Sequence, residues 1–127
     1  MATASFEITG LENVERRLDE QIAAQPHRAA AALYQEAELI MTEAKRLTPV
    51  DTGALKGSGH VNLPEWHGRE CQVVMSFGGP AASYATAVHE NLSMRHKPPT
   101  MAKFLEVPVR IAAEHLLERI SRRLETR

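Results

Sequence analysis

The 127-residue sequence predicts an α+β fold, with a long helical segment first, a small, mostly antiparallel sheet of three to four strands in the middle, and a C-terminal helix. Three observations predict it. Apolar residues recur three and four apart over residues 11–47, the pattern turns to alternation within residues 55–77, and helical spacing returns after residue 104. Helices and sheet are expected to pack as two layers of one domain, with residues 1–10 as a flexible segment or arm.

From Leu11 to Ile22 the apolar residues Leu11, Val14, Leu18 and Ile22 alternate with Glu12, Glu15, Arg16, Arg17, Asp19 and Glu20, the signature of an amphipathic helix. Gln25-Pro26 interrupts it, because proline lacks the amide hydrogen of a helix interior and disfavours helical backbone in the preceding residue. A second helix follows over His27 to Leu47, with Ala30, Leu33, Ala37, Ile40, Ala44 and Leu47 on one face. Thr48-Pro49 stops it, and Pro49 to Gly53 has the composition of a tight loop.

Leu55 to Leu63 and Glu70 to Phe77 have the pattern of two strands, with Pro64 to Gly68 as the connection of an antiparallel hairpin. Gly78-Gly79-Pro80 ends the second. Tyr84 to Val88 suits a short helix or an edge strand, and residues 91–100 form a loop. After it Thr100 is a candidate N-cap. Phe104, Pro108, Ile111, Ala112, His115, Leu116, Ile120 and Leu124 mark one face of a C-terminal helix over 101–125, its main part starting near Pro108.

The charge balance is 15 Lys plus Arg against 16 Asp plus Glu, a formal net charge of −1. That removes the simplest case for a nucleic-acid clamp, which requires a large cationic excess. The single Cys71 permits no internal disulfide and no Cys-rich zinc site, so a reducing cell is the expected compartment. No signal peptide or membrane span is expected. One Trp, two Tyr and three Phe give a modest core, which favours a subunit that shares apolar surface with neighbours.

Val88-His89-Glu90 begins like a zinc-protease helix, but that helix needs a second histidine four positions after the first, where Ser93 stands. A structural or surface role is the expectation for the histidines. Cys71 lies mid-strand as a small hydrophobe, and Ser58 lacks the strand-to-helix elbow of a hydrolase nucleophile. Asp51, in the Pro49–Gly53 loop, is expected to accept backbone hydrogen bonds. Arg119, Arg122, Arg123 and Arg127 are interleaved with Glu114, Glu118 and Glu125, the pattern of a solvated helix face with Glu118 paired to Arg122.

The run Thr48-Pro49-Val50-Asp51-Thr52-Gly53-Ala54-Leu55-Lys56-Gly57-Ser58, after a helix ending Ala44-Lys45-Arg46, resembles a signature of small tail-component proteins of tailed bacteriophages. That signature is P-V-D-T-G-x-L-[RK]-x-S, and the family is also called tail-completion, neck or head–tail joining proteins. Ser83 to Glu90, with Tyr84, Ala85, Val88 and Glu90, and then Lys103-Phe104-Leu105-Glu106, resemble the family's Y-A-x-x-V-E and K-F-L segments in the same order. The likeness spans about Leu11 to Leu124. It departs after Glu90, where Asn91-Leu92-Ser93-Met94 stands in place of a glycine-containing turn.

The resemblance implies a non-catalytic structural protein of the virion, assembled in the host bacterial cytoplasm and without cofactor, metal or small-molecule substrate. It implies a homo-oligomeric ring, a hexamer or larger, meeting tail-tube or tail-terminator and head-connector proteins, with at most passive contact to transiting DNA. Pro49, Asp51, Thr52, Gly53, Leu55, Ser58, Tyr84, Glu90, Lys103 and Phe104 are then the candidate assembly residues. Heterologous contacts that close by rotation fit such a ring, and the candidate contact regions are 49–58, the loop 95–100 and the outer face of the first helix. Two other classes remain: a small metal-dependent hydrolase using His89, Glu90 and His96, and a helix-mediated protein-binding module that docks a partner through Arg119, Arg122 and Arg123.

Overall fold

The computed structural model describes residues 3–8, 16–49, 53–78, 85–92 and 99–125, and its elements mix helix and antiparallel sheet as α+β. Strand β1 is Thr3–Ile8, helix α1 Arg16–Ala24 and helix α2 Pro26–Leu47. A short helical turn α3 (Ala54–Gly57) precedes β2 (His60–Val61), β3 (Glu65–His67) and β4 (Glu70–Gly78). Then come α4 (Ala85–Glu90), α5 (Glu106–Ala113) and α6 (Leu116–Glu125).

The α1/α2 break falls where Pro26 requires it. Gln25 leaves helical space (φ −138°, ψ 60°), and Pro26 becomes the first residue of α2, where a missing amide hydrogen is harmless. At the other end Thr48 is extended (φ −72°, ψ 127°) ahead of Pro49, and its hydroxyl donates to the Ala44 carbonyl at 2.7 Å. Between these stops α2 buries one face, including Ala30, Leu33, Ala37, Ile40, Met41 and Ala44.

β4 is the central strand, with β1 antiparallel on one side and β2 and β3 in succession along the other. Its Cys71, Val73, Met75 and Phe77 are buried, while Gln72, Val74 and Gly78 are half-buried, so helices cover one face. Val73, Met75 and Phe77 join Leu33, Ile40 and Met41 of α2, Phe104 and Leu105, and Leu116, Ile120 and Leu124 of α6 in one core.

Several sequence expectations are corrected. Residues 3–8 form strand β1 rather than a flexible arm, paired from Thr3 opposite Gly78 to Ile8 opposite Val73. Leu55 to Gly57 is helical rather than strand, and β2 is only His60–Val61. The expected connection 64–68 contains β3, and the true hairpin turn is Gly68-Arg69, with Gly68 at φ +65°. The register slips by one residue between β2 and β3, at Asn62 to Pro64, because Pro64 has no amide hydrogen to continue the ladder.

Of the two alternatives for residues 84–88, the described part is helix α4. The C-terminal helix is two helices that break at Glu114-His115, and Leu105, rather than Thr100, is the N-cap. The break turns the expected single face apart, leaving Ile111 66% exposed and His115 exposed while Leu116, Ile120 and Leu124 are buried. Pro108 falls in the first turn of α5, where it removes no intrahelical bond.

Candidate functional site

The three motif segments meet at the end of β4. Gly53 opens α3 with φ +84°, and Leu55 is buried beneath it. Ser58 closes the turn: its hydroxyl donates to the Leu55 carbonyl at 2.6 Å and accepts the Gly78 amide at 2.9 Å. The first motif is thus fastened to the last residue of the central strand. Gly59 then lies against the Phe77 ring, so closely that a Cβ there would stand 2.6 Å from Phe77 Cε1.

Phe77 meets the other segments through Phe104. Their rings pack edge to face at 5.0 Å, and Phe104 makes a second edge-to-face contact at 5.0 Å with the imidazole of His89. His89 is 1% exposed and engaged at both ring nitrogens. Nε2 accepts the Glu106 amide at 3.3 Å, which places the proton on Nδ1 for the 2.8 Å hydrogen bond to Glu90 Oε1. The His89 carbonyl accepts the Lys103 amide at 2.8 Å.

Lys103 is the one non-glycine residue with positive φ among the described residues, at +57°. Its ammonium pairs with the Glu90 carboxylate and lies 3.6 Å from Glu106 Oε2, while Glu106 also holds Arg110 at 2.7 Å. The hydrogen bond from Lys103, and then that from His89, keeps the Glu90 carboxyl below its ordinary range; the same pair raises Lys103. The Met101 amide donates to the Leu47 carbonyl at 3.0 Å, tying this segment to the end of α2.

Of the sequence-predicted residues, Leu55, Ser58, Glu90, Lys103 and Phe104 therefore belong to one junction, with Gly53 capping α3 ahead of Leu55, while Pro49 follows the C-cap of α2. Asp51, Thr52, Tyr84 and His96 lie outside the described residues. Glu90 and the ring of His89 are committed to partners within the chain. Among the described residues no three His, Cys, Asp or Glu side chains are grouped to hold a metal ion. Cys71 is buried on β4, and burial pushes its thiol up, away from nucleophilic character. No helix among the described residues is long and apolar enough to cross a membrane.

Sequence reasoning missed a second constellation. Glu36 of α2 is 3% exposed, and Arg119 Nε and Arg123 Nε of α6 reach its two carboxylate oxygens at 3.3 Å and 3.0 Å. Arg123 also donates to Gln35 Oε1 at 2.8 Å, and Arg28 donates to the Arg123 carbonyl at 2.9 Å. The expected solvated face is present, with Arg119 48% and Arg123 38% exposed, and these two also reach inward to Glu36 and anchor α6 to α2. Glu118 and Arg122 do form the expected pair, at 2.6 Å. The one available signal was Glu36 itself, a carboxylate on the apolar face of α2, whose partners lie more than 80 residues away.

Comparison with protein-family models, with curated proteins and with solved structures finds no match for this chain.

Proposed function

We propose that this chain is a non-catalytic structural subunit of a long-tailed bacteriophage or prophage, acting in tail completion or head–tail joining and assembling as a ring. The observation that carries the reading is the convergence of the three segments on which the resemblance rests. Ser58 fastens the first to Gly78, Phe104 packs the third on Phe77, and Glu90 with His89 holds the second to Lys103 and Glu106. Side chains satisfied by one another serve to fix the relative positions of loops, as a subunit with several neighbours requires.

The same contacts weigh against the metal-hydrolase alternative. Ligation at His89 would require it to give up a buried hydrogen bond, and Glu90 as general base would have to leave Lys103. Assembly offers two sheet edges, β1 and the interrupted β2–β3 edge, and the exposed Leu63 beside the latter.

The test is genetic and morphological. Deleting the gene from an inducible phage genome should leave packaged heads and tails unjoined, or tails of abnormal length, in negative-stain images, with complementation restoring complete particles. Complete, infectious particles without the gene product would overturn the proposal. Native mass measurement alone and with the head-connector and tail-tube proteins then determines the number of copies in the ring.

A further inference from the structure

We propose that the Glu36–Arg119–Arg123 cluster is a binding site for a phosphate oxyanion, built by a buried carboxylate that holds two guanidinium groups side by side. Arg119 and Arg123 are one helical turn apart on α6, so their side chains share a face. Each addresses Glu36 through Nε, one to each carboxylate oxygen. Arg123 donates a hydrogen bond there and Arg119 makes an ion pair, so the closest approach of each is at Nε rather than at the paired guanidinium end usual against a carboxylate.

Among the described residues, Arg123 Nη1 is taken by Gln35, while Arg123 Nη2 and both Nη groups of Arg119 have no protein partner. The side chains are 48% and 38% exposed, so these donors reach solvent, whereas the carboxylate that organises them does not. Two cations against one anion leave an uncompensated positive charge at the cluster.

The donor set selects the ligand. A planar carboxylate is satisfied by one guanidinium end, but two guanidiniums fixed on a common carboxylate present donors from two planes, which suits the several oxygens of a tetrahedral phosphate. Gln35 and the Arg28 bond to the Arg123 carbonyl hold the end of α6 in place, so less rotamer freedom is lost on binding. Two arginines per chain provide a weak contact rather than a clamp, in keeping with the near-neutral total charge. The same chemistry is offered by free inorganic phosphate and by a phosphodiester of nucleic acid.

The experiment titrates the isotopically labelled full-length protein with inorganic phosphate, a short DNA duplex and polyglutamate, following the arginine Nε–Hε resonances. Saturable shifts at Arg119 and Arg123 but not at Arg46 or Arg110 are expected with phosphate. Saturation by free phosphate alone assigns the site to the free ion; saturation by both phosphate and duplex assigns it to phosphodiesters as well, and either supports the proposal. Arg119→Lys keeps the charge beside Glu36 but removes the forked donors, and should weaken phosphate binding about tenfold. Arg122→Lys, whose parent side chain is paired with Glu118, should leave binding unchanged, and melting curves verify that both variants fold. Shifts with polyglutamate but not phosphate, no saturable shift with any probe, or equal weakening by Arg122→Lys would overturn the assignment.

Discussion

Glu90 and Lys103 close a loop of chain: the carboxylate at the end of α4 holds the ammonium of a residue thirteen positions later, and the same lysine takes a left-handed backbone with φ +57°. Lysine adopts that conformation at a cost in conformational energy, so other contacts must hold it. They are present on both sides, in the Lys103 amide bonded to the His89 carbonyl and the ammonium shared between Glu90 and Glu106. The end of α4 and the segment 103–106 are thus coupled physically across the intervening chain.

This pair gives a pH dependence of known sign. The Glu90 carboxyl is held below its ordinary value when folded, by Lys103 first and His89 second. Its contribution is therefore present above the unfolded carboxylate pKa and is lost as pH falls through the lowered folded value. Lys103 is raised, so its side of the pair is present below the unfolded lysine pKa and fails only as pH rises through the higher folded value. Glu90→Gln should lower the melting temperature at neutral pH, by an amount that shrinks toward pH 3 and in high salt. A deficit that stays constant across a melting series from pH 7 to pH 3 would show that the charge of Glu90 is not its source.

Gly59 and Gly57 make a matched pair. A Cβ on Gly59 would meet Phe77 at 2.6 and 2.9 Å and Lys45 Cε at 3.0 Å, and Phe77 is completely buried against Phe104. Gly59→Ala should therefore destabilise by about 1–3 kcal/mol, the usual range for overpacking a core. A Cβ on Gly57 meets nothing within 4 Å, and the residue ends a helical turn. Gly57→Ala should be neutral or stabilising by up to about 1 kcal/mol through the reduced entropy of the unfolded chain. Urea unfolding of both variants checks the contrast, and similar free-energy changes would contradict it.

These cases also explain what was legible in the sequence. Helix α2 was clear because 22 residues with periodic apolar positions lie between two prolines, and β4 because alternation places Cys71, Val73, Met75 and Phe77 on one face. β1 was not, since the short run Thr3–Ile8 becomes a strand through pairing with β4 about 70 residues away, and no local signal announces that partner. The α5/α6 break was hidden because Glu114 and His115 are compatible with helix, and only the rotated burial of Ile111 and Leu116 reveals it. Within the motifs the sequence indicated the residue types, but the contacts that unite them, such as Ser58 with Gly78 and Phe77 with Phe104, join separate elements.

Ser58→Ala tests whether a motif residue acts through backbone hydrogen bonding. The hydroxyl accepts the Gly78 amide at the end of β4 and donates to Leu55, in a partly buried setting. Alanine leaves the Gly78 amide without that acceptor, at a cost of about 1–3 kcal/mol. Hydrogen exchange at the Gly78 amide should accelerate more than exchange at Val73 in the strand centre. Unchanged exchange at Gly78 would mean that the hydroxyl does not hold the strand end.

The Glu36 cluster predicts an asymmetry between removing its anion and removing its cations. Arg119 and Arg123 are 48% and 38% exposed, so in Glu36→Gln both guanidiniums can turn to water, and the neutral amide still accepts a hydrogen bond. In the double variant Arg119→Met, Arg123→Met the Glu36 carboxylate, 3% exposed, would remain in the interface between α2 and α6 without either cation. Stranding a buried charge costs about 3–5 kcal/mol, and burying the added methionine surface on a half-exposed face offsets little of it. The double variant should thus be clearly less stable in denaturant unfolding than Glu36→Gln. The triple variant, which removes the charge as well, should recover most of the loss. If the double variant matched Glu36→Gln, or the triple variant recovered nothing, the two arginines would not be what accommodates the Glu36 side chain inside the fold, and α6 would be held on α2 by the burial of Leu116, Ile120 and Leu124 and by the Arg28 bond to the Arg123 carbonyl.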